Sequence, residues 1–392
     1  MSFLVTTPES GSMVLLPYQP EAPMTESLEW LTCVMKSSNG LEELKKLRRS
    51  PRRTLSMSLP VPRSSLSEVS HLLIGGRTRN CAMPLWNQAQ VVTAVASTDL
   101  IVGCETSYSE FSASGLALLW SSPSTWSVLR VSSVSPGQLN LAQEVGSSFA
   151  SALLMPMTWG FWESNPERLF TGSRTTMQVS LISHQPSALD PAAPEQYLGN
   201  DVYYEEVYQL QGSGSETVST EVLSVDFDLG TITQYYPWDD SLASRKWGWV
   251  CETPEEQWSL REWLHRRSGQ YRPFWAPTHE ADIELLTTGS LGSVIRVRSN
   301  GYSELGSARS QLAFQSVTGE WQARTVNFIS SPAPGELELT LSSALTGLSD
   351  VTLGHISLLR FQRLSSDRAQ IVFSGGGVAT AELGITERRI AA

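Results

Sequence analysis

The stretch GQYRPFWAP, Gly269–Pro277, decides the fold because its setting occurs twice in the chain. It closes the segment TPEEQWSLREWLHRRSGQYRPFW, Thr253–Trp275, and the segment SLSEVSHLLIGGRTRNCAMPLW, Ser65–Trp86, has the same order of features. Each segment starts with a capping box, continues with apolar residues at helical spacing, and reaches glycine, proline and tryptophan in turn. The sequence therefore predicts two helices, each followed by a rigid aromatic plug.

The start of each helix is marked by residues that can satisfy its free backbone amides. Ser65 with Glu68, and Thr253 with Glu256, have the spacing of a capping box, in which the hydroxyl accepts from the third helical amide and the glutamate reaches back to the cap amide. Pro254 suits the first helical position, where a missing N–H leaves no bond unmade. Both helices are thus predicted to begin directly after the hydroxyl residue.

The similarity of the two halves continues beyond the helices. Runs typical of strands precede both, TLSMSLPV in the first half and WGWVCETP in the second. Trp86 and Trp275 lie 189 residues apart, and the next matching pair, Trp126 and Trp321, lies 195 residues apart. A spacing that drifts slowly in one direction indicates a duplicated domain with loop insertions.

Strand patterns dominate both halves. Alternating runs rich in Val, Ile, Phe and Thr, such as ARTVNFIS and LELTLSS, are separated by Gly, Pro, Ser and Asp. Each half is predicted to close on an apolar strand followed by an arginine-containing one, with Arg174 and Arg368 in matching places. The predicted fold is mainly β, with two tandem duplicated β-sandwich domains that each hold one principal α-helix. The predicted division is an N-terminal arm (1–24), a first copy (25–183), a Pro/Ala-rich linker (184–200) and a second copy (201–392).

Three charged clusters have both a chemical and a structural interpretation. His279-Glu280-Ala281-Asp282 could supply metal ligands or form a solvated turn. Asp239-Asp240 could be a carboxylate pair, but neighbours on a strand point to opposite faces. The run KKLRRSPRR, Lys45–Arg53, could contact phosphate or form a solvated helix end with Glu42 and Glu43 as partners. The structural interpretation is favoured in each case.

Composition and missing motifs exclude several function classes. The net charge of -11 disfavours a nucleic-acid binder, no run reaches transmembrane length, and the start MSFLVTTPES lacks the features of a signal peptide. Cys33, Cys81, Cys104 and Cys251 form no CxxC pair, which favours four buried free thiols over a metal site. The sequence holds no HExxH, GxSxG or Walker motif. We therefore expect no enzyme activity, no cofactor and no metal.

The aromatic plug is interpreted as a packing anchor. A feature present in both copies fits packing better than catalysis, which needs no second copy, and large aromatic side chains dominate the energetics of cores. The predicted structural anchors are Trp86, Trp126, Pro273, Phe274, Trp275 and Trp321.

The order of REWLHRRSGQYRPFWAP, a long β region and LLRFQRLSSDRAQIVFSGGGVATAELGITE resembles the distal tail proteins of long-tailed, siphovirus-type bacteriophages. The first copy, from PRRTLSMSLPV to AMPLW, is also similar to segments of such tail proteins. The resemblance implies β-sandwich or split-barrel domains that form a ring below the tail tube of the virion, without a cofactor. It also implies that the partners are sister subunits, the tail tube protein and baseplate hub or tail-tip proteins.

The duplication departs from the single-copy pattern of that family. Three chains with two copies each would supply the six positions that the symmetry of the tube implies, so a trimer with pseudo-six-fold symmetry is favoured over a hexamer. The predicted function is a structural baseplate component, assembled in the host cytoplasm. The thirteen tryptophans keep a receptor- or carbohydrate-binding tail protein as the alternative. A hydrolase is disfavoured because no convergent catalytic set can be assembled from the sequence.

Overall fold

The computed structural model describes residues 4–7, 11–67, 69–71, 80–171, 174–184, 189, 191–207, 215–226, 228, 230, 232–236, 241–305 and 309–390, and the structural statements that follow refer to these residues. The protein is mainly β, as the strand patterns predict, and its long α-helix is α1 (Pro254–Arg267). The strands of the first half are β1 (Leu4–Thr7), β2 (Gly11–Leu15), β3 (Glu21–Glu29), β4 (Thr32–Lys36), β5 (Glu42–Lys46), β6 (Arg52–Val61), β7 (Cys81–Pro84), β8 (Gln90–Val95), β9 (Ile101–Gly103), β10 (Leu116–Ser122), β11 (Thr125–Ser135), β12 (Gln138–Leu141), β13 (Phe149–Trp162), β14 (Glu167–Thr171) and β15 (Arg174–Ser183). The strands of the second half are β16 (Gln196–Tyr197), β17 (Asn200–Val202), β18 (Glu216–Ser219), β19 (Leu223–Asp226), β20 (Ile232–Tyr235), β21 (Leu242–Cys251), β22 (Phe274–Pro277), β23 (Val294–Arg298), β24 (Gln311–Ser316), β25 (Trp321–Ala333), β26 (Glu336–Leu341), β27 (Leu353–Leu364), β28 (Arg368–Gly375) and β29 (Val378–Glu387).

An antiparallel sheet of eight strands runs through both halves, in the order β14–β15–β6–β3–β28–β29–β21–β18. The first four strands belong to the first half of the chain and the last four to the second half. The halves meet where β3 pairs with β28, from Glu29 opposite Arg368 to Met24 opposite Phe373. We call this pairing the internal junction, and it makes one sheet out of two four-stranded pieces.

Each half adds an outer sheet. In the first half its order is β1–β2–β7–β13–β10–β11–β12–β9, with β8 also paired to β13. In the second half the order is β16–β17–β22–β27–β24–β25–β26–β23. The long strands β13 and β27 also pair with β15 and β29, and so connect each outer sheet to the central one. The predicted arm therefore contributes strands β1 and β2, and the predicted linker contributes β16.

The pairing pattern of one half recurs in the other. Strands β1–β7 match β16–β22 and strands β9–β15 match β23–β29, and the parallel pair β2–β7 matches the parallel pair β17–β22. The bounds agree as well, since β6 and β21 each span ten residues, as do β15 and β29. Between Glu26 and Val61, a constant spacing of 190 residues leads to the matching position in the second half, from Glu216 to Cys251.

The register of the plug strands corrects one pairing made from the sequence. Ala82, not Trp86, holds in β7 the position that Trp275 holds in β22, because Ala82 and Trp275 pair with matching residues of β13 and β27. Trp86 lies beyond the strand, at the start of a short 3-10 turn. The prediction is wrong because strand pairing, rather than the distance from helix to proline, sets the register. Trp126 and Trp321 do hold matching positions, in β11 and β25.

The predicted match of Arg174 with Arg368 is also wrong. Arg174 begins β15, which matches β29, whereas Arg368 begins β28, which matches β14. Each half closes on a hairpin of two strands, so counting a single strand after the apolar one shifts the comparison by one strand.

The predicted helix end around KKLRRSPRR is a β-hairpin. Glu42, Lys45 and Lys46 lie in β5, which pairs with β4 across a turn at Gly40. Gly40 has a φ of 80°, which costs glycine little, and Ser37 Oγ donates to Leu41 O at 3.0 Å within the turn. Glutamates that would follow lysines on one helix face instead alternate with them along a strand.

Helix α1 begins as its sequence predicts. Thr253 Oγ1 accepts from the amide of Glu256 at 3.2 Å, Glu256 Oε2 accepts from the amide of Thr253 at 3.3 Å, and Pro254 holds the first helical position. Leu260 and Leu264 pack in the core that both halves share. In the first half, residues 66, 67 and 69–71 are helical, whereas Glu68, Leu72, Leu73 and Gly75-Gly76 lie outside the described residues.

Candidate functional site

Strand β22 carries the aromatic plug between two cores. Successive side chains of a strand point to opposite faces, so Phe274 packs in the core beneath α1 while Trp275 packs in a second cluster around Leu359. The centroid of the Trp275 ring lies 4.8 Å from that of Phe361 and 5.6 Å from that of Tyr197. Both plug aromatics are buried.

The remaining predicted anchors are only half-buried. They are Pro273, Trp86, Trp126 and Trp321. Trp86 meets the Trp120 ring edge-on at 5.3 Å, and Trp321 stacks on the Tyr204 ring at 5.6 Å. These side chains pack at the margins of the cores.

Gly269, which opens the GQYRPFWAP stretch, permits a close approach between the two halves. Its φ is +68°, and a Cβ there would lie 2.4 Å from Asp367 Oδ1 and 3.0 Å from the Cβ of Trp30. Asp367 accepts from the amide of Gln270 at 2.9 Å and from the amide of Thr32 at 2.6 Å. The exit of α1 is thus fastened to the first half through Asp367.

A buried cluster of four charges holds α1 against the first half. Arg53 in β6 and Arg261 in α1 both contact Glu26 and Glu110, with Arg53 Nε 2.7 Å from Glu26 Oε1 and Arg261 Nη1 2.7 Å from Glu110 Oε1. Burial disfavours ionisation of Glu110, but Arg261 and Arg53 outweigh it and hold the pKa of this carboxyl well below its usual range. Two positive and two negative charges therefore balance at the internal junction.

The β4–β5 hairpin of the first half reaches over the second half. Arg363 of β27 binds Glu42 of β5 with two nitrogens, Nε at 2.8 Å from Oε2 and Nη2 at 2.9 Å from Oε1. Arg388 Nε lies 3.1 Å from the same carboxylate, and Lys36 Nζ lies 2.5 Å from Glu221 Oε2. Burial opposes ionisation of Glu42, but the arginines prevail and lower the pKa of its carboxyl. The hairpin contact is therefore mainly ionic.

The outermost strands of the central sheet, β14 and β18, each pair on one side only within the described chain. They match β28 and β3, the two strands that pair with each other at the internal junction. Val218 of β18 is 61% exposed, whereas Leu28, at the matching position of β3, is 0% exposed. Phe170 of β14 is 67% exposed, whereas the matching Phe373 of β28 is buried. Positions that the junction covers are thus open at the two outer edges.

A cleft of about 850 Å³ opens between α1 and residues 194–205. Trp249 and Trp263 line it with ring centroids 5.2 Å apart, and Trp249 Nε1 donates to Tyr203 Oη at 3.0 Å. The acidic residues that also line the cleft are Glu195, Asp201, Glu205, Glu255 and Glu256. A concave site with aromatic faces and a few polar groups is the usual form of a small-ligand site.

The candidate metal ligands of the sequence have other contacts. His279 meets the Trp321 ring edge-on at 5.4 Å, and burial lowers the pKa of His279 to about 4. Asp282 Oδ2 accepts from the amide of Leu358 at 2.8 Å. Among the described residues, no three His, Cys, Asp or Glu side chains gather as a metal site. Asp239-Asp240 lies outside the described residues.

The four cysteines are free thiols, but only Cys81 and Cys251 are buried, and the expectation of burial is wrong for Cys33 and Cys104. Burial raises the pKa of Cys81 to about 12 and that of Cys251 to about 11. Thiols with such pKa values stay protonated and unreactive. Cys33 is half-buried because it lies in the β4–β5 hairpin, away from the cores.

Sequence patterns alone do not single out the residues of the internal junction and the free edges. The signal that could have found them is the ungapped match of the strands before each helix. Extending that match towards the N-terminus places Leu28 against Val218 and Glu26 against Glu216. A recurring apolar position of this kind indicates a recurring contact.

No helix of the described residues is long and apolar enough to cross a membrane. Comparison with known proteins yields no match to a protein-family model and none to a curated protein sequence.

Proposed function

We propose that this chain is a ring-forming structural protein of a bacteriophage tail baseplate, which joins the tail tube to the tail tip. The observation that carries the proposal is the pair of free edges, β14 and β18, which match the two edges that pair within the chain. The recurrence of one strand-pairing pattern supports a tandem duplication, in which each copy is one β-sandwich or split-barrel unit with its own helix.

The internal junction joins unlike edges, because β3 of the first half meets β28 of the second. The sheet therefore ends in a β28-like edge, β14, and a β3-like edge, β18. A contact between unlike surfaces is heterologous, and its repetition from chain to chain either closes into a ring or continues as a filament. Edge-to-edge pairing of this kind also satisfies backbone groups that an exposed edge leaves open to aggregation.

The register of the internal junction defines the contact expected between chains. Ile371 of β28 lies opposite Glu26 of β3, and the matching positions at the free edges are Arg168 in β14 and Glu216 in β18. Opposite charges directly across two antiparallel strands favour their pairing. The same pairing would cover Val218, as the internal junction covers Leu28.

The count of subunits follows from the central sheet. Both halves lie in one continuous sheet, so a ring built by this contact has two sheet units per chain. Six positions, which the resemblance to distal tail proteins implies, would then be filled by three chains with pseudo-six-fold symmetry. The alternative is a hexamer in which only one half of each chain lines the channel.

The partners in this proposal are sister chains, the tail tube protein and baseplate hub or tail-tip proteins. The protein would assemble in the host cytoplasm and remain in the virion. Such a role needs no catalytic group, cofactor or nucleic-acid site, and it draws on the resemblance of the sequence together with the free edges.

The number of chains per particle tests the proposal. Native mass measurement of the purified protein, and quantification of the chain in purified phage particles, should both give three chains per ring. Six chains per ring would support the hexamer. A chain that stays monomeric at every concentration and is missing from tails would contradict the proposed function.

The aromatic cleft favours carbohydrate or receptor binding as a second candidate function. Trp249, Trp263 and the acidic side chains beside them could contact the faces and hydroxyl groups of a sugar. A glycan array tests it, with Trp263→Ala as the variant that should lose binding and Phe328→Ala, an exposed aromatic remote from the cleft lining, as the control. An array without any bound glycan would remove this candidate.

A further inference from the structure

The β19–β20 hairpin of the second half is exposed along both strands. It matches the β4–β5 hairpin, because the cross-strand pairs Leu223–Tyr235 and Cys33–Lys45 are related by the same spacing of 190 residues as the neighbouring strands. The β4–β5 hairpin is held against the second half by ion pairs. The described chain contains no corresponding contact for β19–β20.

The ion pair that holds β4–β5 has an apolar pair in the matching positions. Glu42 of β5 matches Ile232 of β20, and its partner Arg363 of β27 matches Phe161 of β13. Ile232 is 64% exposed and Phe161 is 46% exposed. One position of the contact therefore changes from acid to aliphatic, and the other changes from base to aromatic.

The surface beside Phe161 resembles the surface beside Arg363. Arg388 lies over the ring of Phe361, with its guanidinium carbon 5.6 Å from the centroid. At the matching positions His184 stacks on the ring of Trp159, with centroids 4.3 Å apart. In both halves a side chain from the end of the last strand thus covers an aromatic ring beside the position that would receive a hairpin.

We propose that the β19–β20 hairpin docks on a second copy of this chain, with Ile232 packed against Phe161 of that copy. This inference rests on the proposed ring, because pairing of β14 with β18 carries the hairpin to the neighbouring β13 as the internal junction carries β4–β5 to β27. Docking removes two exposed apolar side chains from water, which stabilises the contact between chains.

The difference between the two contacts also gives the assembly its order. A β4–β5 hairpin placed on the surface around Phe161 would leave the charge of Glu42 without its partner. A β19–β20 hairpin placed on the surface around Arg363 would leave the guanidinium facing isoleucine. Unpaired charges penalise the wrong arrangement, so each hairpin selects its own surface.

A charge-exchange experiment tests the docking. Ile232→Glu and Phe161→Arg are made singly and together, so that the double variant reproduces the Glu42–Arg363 pair at the contact between chains. The concentration at half-assembly is measured for each protein by native mass over a dilution series. Each single variant should raise this concentration about tenfold or more, which corresponds to about 1.4 kcal/mol, and the double variant should restore most of the loss.

The outcomes separate the docking from the ring itself. Both substituted side chains are exposed in the single chain, so unchanged thermal unfolding should show that the variants fold. Rings of undiminished stability in the single variants, or a double variant no better than the worse single one, would overturn the docking and leave the ring in place. A wild-type chain that never assembles would overturn both.

Discussion

Leu28 and Val218 hold matching register positions in β3 and β18, yet Leu28 is 0% exposed and Val218 is 61% exposed. Leu28 is covered because β3 pairs with β28 across the internal junction. Strand β18 pairs with β21 alone in the described chain. In our proposal the edge of β18 is completed by β14 of the next chain, so that a single kind of contact is used once within the chain and once between chains.

Val218→Lys should prevent assembly without unfolding the chain. The valine is exposed in the single chain, so the lysine can remain in water there, whereas pairing with β14 would cover it. Size-exclusion chromatography with light scattering should give a single chain for the variant and three chains for the wild type. Val351→Lys, at a position 79% exposed and away from both edges, should assemble like the wild type. Normal assembly of the Val218 variant would contradict the edge contact.

Arg261→Met should destabilise the fold by about 3–5 kcal/mol, the usual cost of breaking a buried ion pair from one side. The substitution leaves Glu26 and Glu110 with Arg53 as their remaining cationic partner among the four charges. The free energy of unfolding from urea titration measures the loss. Arg298→Met, which breaks the exposed pair with Glu284, should change it by less than about 0.5 kcal/mol. Equal effects of the two substitutions would show that the buried cluster is not special.

Gly269→Ala should cost more than Gly301→Ala, although both glycines have a positive φ. The alanine methyl at 269 would collide with Asp367 and crowd Trp30, while no atom lies within 4 Å of the corresponding point at 301. The backbone contribution is shared, and left-handed alanine costs about 1–2 kcal/mol in either place. The excess loss of unfolding free energy at 269 therefore measures the close approach between the halves, and no excess would refute it.

Asp201 should make the fold sensitive to acid in a defined range. Its carboxylate accepts from Arg266 Nε at 2.8 Å and contacts Arg267. Burial raises the pKa of Asp201, but the two arginines outweigh it and the net pKa is lowered to about 2. Because the folded pKa lies below the unfolded value of about 3.9, the stabilisation is complete above that pH and is lost as the pH falls towards 2. The difference in unfolding free energy between wild type and Asp201→Asn should shrink across this range, and a constant difference would contradict it.

The sequence predicts features that depend on neighbours along the chain. The capping box of Thr253 and Glu256 and the strand around Phe274 are confirmed, because each arises from contacts within a few residues or from alternation along one strand. The match of Trp86 with Trp275 is wrong because it depends on how strands align across a sheet, which local spacing does not set. Lys45 was expected on a helix for the same reason, since its hairpin partner and the turn at Gly40 decide its conformation.

The candidate site was beyond local patterns altogether. Glu42 and Arg363 lie far apart in sequence, and nothing near either residue marks it as half of an ion pair. The free edges become visible only when the pairing of β3 with β28 is known, since that pairing shows which faces a matching strand would cover. An exposed valine such as Val218 is ordinary by itself, and it gains meaning from the buried Leu28.

Disulfide trapping across the two free edges tests the central claim most directly. Arg168→Cys and Glu216→Cys in one chain place thiols at positions that match Ile371 and Glu26, which lie opposite each other at the internal junction. Under mild oxidation the account predicts covalent dimers and closed trimers that neither single variant forms, which controls for the native cysteines. Covalent species that are no more abundant than in the single variants, or links formed only within one chain, would contradict the claim that β14 and β18 pair between chains.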